Sequence, residues 1–360
     1  MRPYSNTLAP RLYDDNLLLF TAMIDDILNA KHSIYLETYR FAEDAIGKRF
    51  REALLRKCKE GLTVRLLLDA YGTNVYEGFF NELIEAGAQV RYFKKLKFFI
   101  SNIFDKNHTR NHQKLLLIDG KISYVGSSNL SAYSLSWREL NLRLEGDLCL
   151  CLTKAFNQSF QLYKLYDSVP FERIENLHSE GFTIIQDTPS VYFQKIRSQA
   201  MNMIGHAKHE IRLETPYFLP SSKFRKALIM AAQRGVKVIV YIPFNSDMRT
   251  IDLLRNKYLG PLYKAGIEWR FYKPDNLHAK CLLCDNKYFM IGSSNFDYRS
   301  FRYQYEIMLC GEHKEIITLL DAHLQGTEAQ SVQFNYEKWQ DIPGIYRFIE
   351  YLLSPFKRFF

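Results

Sequence analysis

Two copies of one histidine–lysine–aspartate pattern stand out among the residues that could do chemistry. Each copy reads His-x-Lys-x-x-x-x-Asp: His112, Lys114 and Asp119 form the first, and His278, Lys280 and Asp285 form the second. In both copies a Gly-Ser-Ser-Asn sequence begins seven residues after the aspartate, at Gly126 and Gly292. One such pattern carries little information, since short patterns recur by chance. Two copies with the same sequel exclude coincidence, and their imidazole and ammonium groups are suited to handling a phosphate.

The duplicated pattern resembles the hallmark of the phospholipase D superfamily, and the similarity covers nearly the whole chain. This resemblance implies transfer of a phosphodiester by double displacement. One neutral imidazole attacks phosphorus to form a phosphohistidine, while a second, protonated imidazole donates a proton to the departing oxygen. By analogy with the superfamily, His112 is the nucleophile and His278 is the acid and base. The scheme needs neither a metal ion nor another cofactor.

The other polar members of the pattern receive supporting roles on the same basis. Lys114 and Lys280 lie two residues beyond the histidines on a strand, hence on the same face, where they neutralise phosphate oxygens. The Gly-Ser-Ser-Asn sequences are predicted to bind the same oxygens through four side chains: Ser127, Asn129, Ser293 and Asn295. The superfamily places a histidine-orienting carboxylate further downstream, and Glu139 and Glu306 follow the two histidines by 27 and 28 residues.

Asp119 and Asp285 are predicted to lie away from the phosphate. Strand alternation turns them to the face opposite the histidines and lysines. Each stands between two apolar, strand-like runs, as the first residue of a hairpin turn does. We therefore predict that both aspartates close a hairpin and brace the motif. Glu37 and Glu214, at equivalent strand ends, fit either the cleft or a salt bridge within the repeat interface.

The elements that must position these residues are repeated as well. Residues 32–38 match 209–215 at an offset of 177, whereas the two motifs match at 166, so the first half carries extra residues before its motif. Each half alternates helices and strands, which predicts an α/β sheet covered on both faces. The repeat and the resemblance together predict two similar α/β/α sandwich domains, 1–170 and 171–360, related by pseudo-twofold symmetry. The active site would lie at their interface.

The composition favours an anionic partner. Lys and Arg number 48 against 39 Asp and Glu, a formal net charge of +9, and such an excess attracts nucleic acid, an acidic membrane face or a phosphorylated substrate. No run of 18 apolar residues and no apolar signal segment is found. We therefore expect a cytoplasmic protein that associates peripherally with the inner membrane. The six cysteines are expected to be reduced, and Cys281-x-x-Cys284 lacks the partners of a metal site.

The extra residues before the first motif are the best indication of the substrate. Residues 91–111 interleave basic and aromatic side chains, a combination typical of membrane interfaces. Six of them are predicted to contact the membrane: Lys94, Lys95, Lys97, Phe98, Phe99 and Phe104. Residues 345–360 repeat this chemistry in an amphipathic C-terminus. An ordinary core helix with a solvated basic loop would have the same composition, as would a surface that binds single-stranded nucleic acid.

Four longer stretches are similar to bacterial cardiolipin synthases: residues 35–39, 213–218, 271–280 and 294–306. That similarity implies an anionic phospholipid substrate and transfer of a phosphatidyl group from one phosphatidylglycerol to a hydroxyl of another, with release of glycerol. One chain carries both motifs, so a monomer suffices for this chemistry. Many of those enzymes begin with membrane-spanning helices and this sequence does not, which leaves the acceptor open. A phospholipase D hydrolase, a nuclease of the superfamily and a non-catalytic lipid-binding module are the alternatives.

Overall fold

The computed structural model describes residues 9–73, 75–93, 109–163, 174–179, 181–190, 192–344 and 352–353. The predicted membrane contacts lie outside these ranges: Lys94, Lys95, Lys97, Phe98, Phe99 and Phe104. The same holds for nearly all of the amphipathic C-terminus. The segment in which the two domains were expected to meet is only partly described, so the boundary near residue 170 stays a prediction.

The first half of the chain forms a mixed sheet. Its strands are β1 (Arg11–Asp15), β2 (Ser33–Thr38), β3 (Thr63–Asp69), β4 (Gln89–Phe93), β5 (Arg110–Asn111), β6 (Leu115–Ile118), β7 (Ile122–Gly126) and β8 (Arg138–Glu145). Its helices are α1 (Asn16–Asn29), α2 (Ala45–Lys59), α3 (Asn81–Glu85) and α4 (Leu148–Leu162), with a 3-10 turn at Ala132–Ser134. All strands except β5 form one sheet in the order β1-β8-β7-β6-β2-β3-β4. The helices α2 and α3 connect the parallel strands β2, β3 and β4, since parallel neighbours need a crossover.

The second half repeats this sheet. Its strands are β9 (Leu177–Ser179), β10 (Phe182–Asp187), β11 (Glu210–Glu214), β12 (Lys237–Pro243), β13 (Ile267–Tyr272), β14 (Cys281–Cys284), β15 (Tyr288–Gly292), β16 (Gln304–Gly311) and β17 (Ser331–Gln333). Its helices are α5 (Lys195–His206), α6 (Ser222–Gln233), α7 (Arg249–Lys264), α8 (Ser300–Tyr303), α9 (Lys314–Ala329) and α10 (Tyr336–Gln340). The order β10-β16-β15-β14-β11-β12-β13 reproduces that of the first sheet, with β9 and β17 added at the edges.

The apolar core is continuous between the halves. The outer face of the first sheet packs under α1 and α2, and that of the second packs under α5, α6 and α7. Between the sheets, one cluster joins side chains of both halves, among them Leu152 and Phe156 of α4 and Leu320 and Leu324 of α9. The predicted α/β class with two similar domains is therefore confirmed, and the repeats share their inner core.

The two motif hairpins have the predicted turns. Strands β6 and β7 are joined through Asp119 and Gly120, whose φ angles are 55° and 63°, and β14 and β15 through Asp285 and Asn286, at 55° and 49°. Two successive positive φ angles define the turn that matches the twist of a hairpin, and Asp, Asn and Gly tolerate them best. Among the described residues, no helix has both the length and the apolar character that crossing a bilayer requires.

Candidate active site

Each motif histidine is held by the backbone of the other half. Strand β5 runs parallel to the start of β16, and the amide of His112 donates to the carbonyl of Tyr305 at 2.9 Å. On the other side, the amide of His278 donates to the carbonyl of Arg138, at the start of β8, at 2.8 Å. These contacts place each histidine beside the strand that carries the glutamate of the opposite half.

The histidine side chains also contact residues of the other half. Nδ1 of His112 lies 3.0 Å from Oε1 of Glu306, and Nδ1 of His278 lies 2.8 Å from Oε1 of Glu139. Sequence spacing relates each glutamate to the histidine of its own half, but the structure pairs each with the histidine of the other. Because Nδ1 is occupied by a carboxylate, the lone pair or proton at Nε2 is available to a substrate.

The two serines of the Gly-Ser-Ser-Asn sequences lie behind the carboxylates. Oγ of Ser127 donates to Glu139, and Oγ of Ser293 donates to Glu306, both at 2.5 Å. Neither serine has exposed surface, and the amide of Leu140 donates to Oγ of Ser127 at 2.9 Å. Ser127 and Ser293 therefore face the glutamates and are not part of the cavity lining described below, and their predicted contact with phosphate stays a prediction.

The two motif lysines lie under the histidines. Nζ of Lys114 donates to the carbonyl of His112, and Nζ of Lys280 to that of His278, both at 2.6 Å. Both side chains are buried. Burial lowers the pKa of Lys114 to about 7 and that of Lys280 to about 8, against the opposing effect of nearby glutamates. An arriving phosphodiester anion would favour the charged ammonium forms.

A cavity of about 440 Å³ opens above both histidines. Besides His112 and His278, its lining includes Asn129 and Asn295, the two asparagines that the sequence assigned to phosphate. Both asparagines keep a buried Oδ1 with no hydrogen-bond partner among the described residues. Their amides are therefore groups that a ligand in this cavity can meet.

The two imidazoles lie in different electrostatic surroundings. Burial, together with the cations of Lys114 and Lys280, lowers the pKa of His112 well below its ordinary value. Burial also lowers the pKa of His278, but Glu139 and Asp247 oppose that effect. The surroundings therefore favour the neutral imidazole at His112 and tolerate the protonated one better at His278.

The partnering glutamates differ in the same sense. Burial opposes ionisation of Glu139, but His278 and Lys280 outweigh it and lower its pKa below the ordinary value. Burial dominates at Glu306 and raises its pKa to about 8, although Lys114 opposes this. A charged carboxylate behind His278 stabilises the imidazolium that a general acid needs.

The motif aspartates lie at the far end of their hairpins, outside the cavity lining. Asp119 accepts the amides of residues 31–33 at 2.7 to 2.8 Å, and Asp285 accepts those of residues 208–210 at 2.8 to 2.9 Å. Burial is outweighed by these amide hydrogen bonds, which lower the pKa of both carboxyls. Each aspartate ties its hairpin to the loop before β2 or β11, in the supporting role assigned to it.

Several residues of the cavity were not singled out from the sequence. The rings of Tyr39 and Trp137 lie 5.2 and 5.3 Å from those of His112 and His278, and Tyr217 lies 6.4 Å from His278. A signal existed, because both tyrosines end matching stretches that begin Leu-Glu-Thr.

The two equivalent glutamates, Glu37 and Glu214, do not line this cavity. They are buried and hydrogen-bonded to Asn111 and His323, at 2.7 Å in each case. Within the described ranges, no three His, Cys, Asp or Glu side chains are grouped as a metal site would need.

The fold and this cavity define an enzyme of the phospholipase D type, which transfers phosphodiesters between oxygens. The family model described as cardiolipin synthase, PLD-like domain, matches residues 23–163 and 200–327. The chain therefore belongs to this family, and it is a phospholipid phosphodiester transferase.

Curated relatives agree with this assignment, and one solved structure shares the fold. The major cardiolipin synthase ClsA of Bacillus subtilis (strain 168) is 32% identical over 352 residues, which cover 93% of this chain and 73% of that protein. A cardiolipin synthase of Listeria welshimeri is 33% identical over 328 residues, covering 87% and 68%. The crystal structure of phosphatidylserine synthase from Haemophilus influenzae Rd KW20 shares the fold at a TM-score of 0.76 and 12% identity, over 97% of this chain and 93% of that one.

Proposed function

We propose that the protein joins two phosphatidylglycerol molecules into cardiolipin and releases glycerol. The observation that carries this proposal is one cavity lined by two imidazoles, each bound through Nδ1 to a buried carboxylate. The named relatives are cardiolipin synthases, which supports phosphatidylglycerol as donor and acceptor.

In the first half-reaction, Nε2 of neutral His112 attacks the phosphorus of phosphatidylglycerol. The bond between phosphorus and the headgroup oxygen breaks, and protonated His278 transfers its Nε2 proton to that oxygen. The products are free glycerol, a phosphatidyl group on His112 and a neutral His278. The low pKa of His112 and the anionic surroundings of His278 support this division of roles.

In the second half-reaction, neutral His278 takes a proton from a headgroup hydroxyl of a second phosphatidylglycerol. The resulting oxygen nucleophile attacks phosphorus, and the bond to His112 breaks. Cardiolipin leaves, and both imidazoles regain their starting protonation states. One phosphodiester replaces another, so the exchange needs no nucleotide.

The non-bridging oxygens of the transferred phosphate are bound by four side chains: Lys114, Lys280, Asn129 and Asn295. The lysines supply charge from beneath the histidines, and the asparagines supply amide groups on the cavity wall. Because these groups are fixed before the reaction, they stabilise the pentacovalent phosphorus without reorganising.

Access to lipid requires contact with the bilayer surface, and we assign the protein a peripheral position on the cytoplasmic face of the inner membrane. The basic and aromatic residues 91–111 immediately precede the first motif histidine. In the described part of the cavity rim, Tyr71 and Tyr133 are 56% and 61% exposed, and tyrosine prefers the headgroup boundary.

The test is incubation of the purified protein with phosphatidylglycerol vesicles and, separately, with a labelled single-stranded oligonucleotide. We expect cardiolipin and glycerol in equal amounts, and no product from the His112→Ala variant. The exposed His206 provides a matched control, because His206→Ala makes the same substitution outside the cavity. Phosphatidic acid as the main product would identify a hydrolase instead. Shortened oligonucleotide with untouched lipid would refute the proposal.

A further inference from the structure

One exposed carboxylate stands in a cavity that otherwise favours anions. Asp247 lines the active-site cavity on the side of the second half. Arg40 and Arg299 line the same cavity, and the ammonium groups of Lys114 and Lys280 lie beneath its histidines. A carboxylate repels a phosphodiester anion. Asp247 is therefore expected to bind a part of the substrate other than the phosphate.

The structure holds this carboxylate in one orientation. The hydroxyl of Tyr217 donates to Oδ1 of Asp247 at 2.7 Å, and Nδ2 of Asn276 donates to the same oxygen at 3.2 Å. Asn276 is buried, and its Oδ1 has no hydrogen-bond partner in the described part of the chain. The second carboxylate of the cavity, Asp297, is already engaged, because it accepts the amide of Ser300 at 2.7 Å. Asp247 therefore offers a fixed acceptor to hydrogen-bond donors in the cavity.

This arrangement breaks the symmetry of the two halves. Asp247 follows the end of β12 by four residues, and Thr73 occupies the equivalent place after β3. Thr73 is neutral and buried, and its Oγ accepts the amide of Phe41 at 3.2 Å. Only the side of the cavity next to His278 thus receives the carboxylate at this position.

We infer that Asp247, oriented by Tyr217, binds the hydroxyls of the headgroup glycerol and selects glycerol over other alcohols. The inference rests on the proposed function. In both half-reactions the glycerol oxygen exchanges its proton with His278, so the leaving and the incoming glycerol occupy this side in turn. A carboxylate accepts strong, charge-assisted hydrogen bonds from hydroxyls. The neighbouring cations disfavour an ammonium group in the same place.

The experiment measures transfer from phosphatidylglycerol vesicles to two soluble alcohols in competition, isotope-labelled glycerol and 1-propanol, and the label distinguishes newly formed phosphatidylglycerol from the donor. The ratio of the two phosphatidyl products is compared between the wild type, Asp247→Ala and Tyr217→Phe. Both alcohols depend on the same base, so the ratio cancels any change in the proton affinity of His278. Asp25→Ala, on an exposed position of α1, provides the control for removing a carboxylate.

We expect Asp247→Ala to lower the ratio of glycerol product to 1-propanol product by about 10-fold or more; total transfer falls as well, because the glycerol headgroup of the donor occupies the same side. Tyr217→Phe should lower the ratio less, because the carboxylate remains. An equal loss with both alcohols would overturn the inference while leaving the proposed function intact. So would a variant that loses transfer to added ethanolamine but keeps its preference for glycerol. A wild-type protein that forms neither cardiolipin nor a phosphatidyl ester of either alcohol would overturn the function and this inference together.

Discussion

Replacing Glu139 by glutamine tests the exchange of carboxylates between the halves. The substitution keeps the shape of the side chain and an oxygen for Nδ1 of His278, which lies 2.8 Å from the carboxylate, but it removes the charge. A hydrogen bond to a charged group contributes about 1.5–3 kcal/mol, which corresponds to about 10- to 150-fold in rate. In the proposed roles this loss falls on the general acid. The loss of rate should therefore be larger for a leaving group that must be protonated to depart.

The assay compares phosphatidylglycerol with a phosphatidyl ester of p-nitrophenol, whose leaving group departs without protonation. We expect Glu139→Gln to slow release of glycerol by about 10- to 150-fold and release of p-nitrophenolate by less than about threefold. The matched variant Glu306→Gln acts on His112, the proposed nucleophile, and any loss of rate should be equal for the two leaving groups. A leaving-group-dependent loss in Glu306→Gln, with a uniform loss in Glu139→Gln, would refute the combination of exchanged pairs and assigned roles.

Three further predictions concern pH and packing. The pKa of His112 is strongly lowered and that of Lys114 is about 7. The transfer rate should therefore persist below about pH 6.5 and decrease as rising pH deprotonates the lysine. A transfer rate that increases with pH would contradict this. Gly126→Ala should lower the Tm, because a Cβ would lie 2.4 Å from a backbone oxygen, whereas Gly205→Ala, in open space, should not. Burial disfavours the charged form of His323, but its carboxylate partners outweigh this and raise its pKa. Stability from this histidine is present below its unfolded pKa of about 6.5 and is lost as pH rises through the raised value, so the wild-type Tm should decrease more on alkalinisation than that of His323→Gln.

The fold and the motif residues were accessible from the sequence because the information is local or repeated. Spacing of two residues fixes the face shared by a histidine and its lysine, as for His112 and Lys114. Asp119 indicates a hairpin turn because aspartate favours the backbone conformation of such turns, a preference that acts within a few residues. The internal repeat then required two similar sheets, which the structure contains.

The pairing between the halves was not accessible in the same way. The spacing from His278 to Glu306 is nearly that from His112 to Glu139, so it cannot distinguish a partner in the same half from one in the other. That choice is made where β5 meets β16, far apart in sequence. The contact of Ser127 with Glu139 was not predicted for a different reason, since a Gly-Ser-Ser-Asn sequence does not reveal which of its polar groups turns inward.

Membrane contact by residues 91–111 remains a hypothesis. Their composition favours a membrane interface but does not specify how the side chains would be arranged there. The aromatic residues of the cavity lining could have been predicted from the internal repeat. Tyr39 and Tyr217 end equivalent stretches, but a tyrosine that follows an apolar strand in the sequence is usually part of a core. Their position beside the imidazoles becomes evident only when both sheets are in place.

The pairing of each histidine with a glutamate of the other half also affects when the active site can form during synthesis of the chain. The amino-terminal half is synthesised first, and it carries His112 before Glu306, the carboxylate at its Nδ1, has been made. In the proposed mechanism, His112 is therefore not oriented for attack on phosphorus until Glu306 has been made. Separation of the two halves would remove the carboxylate partner of both imidazoles at once.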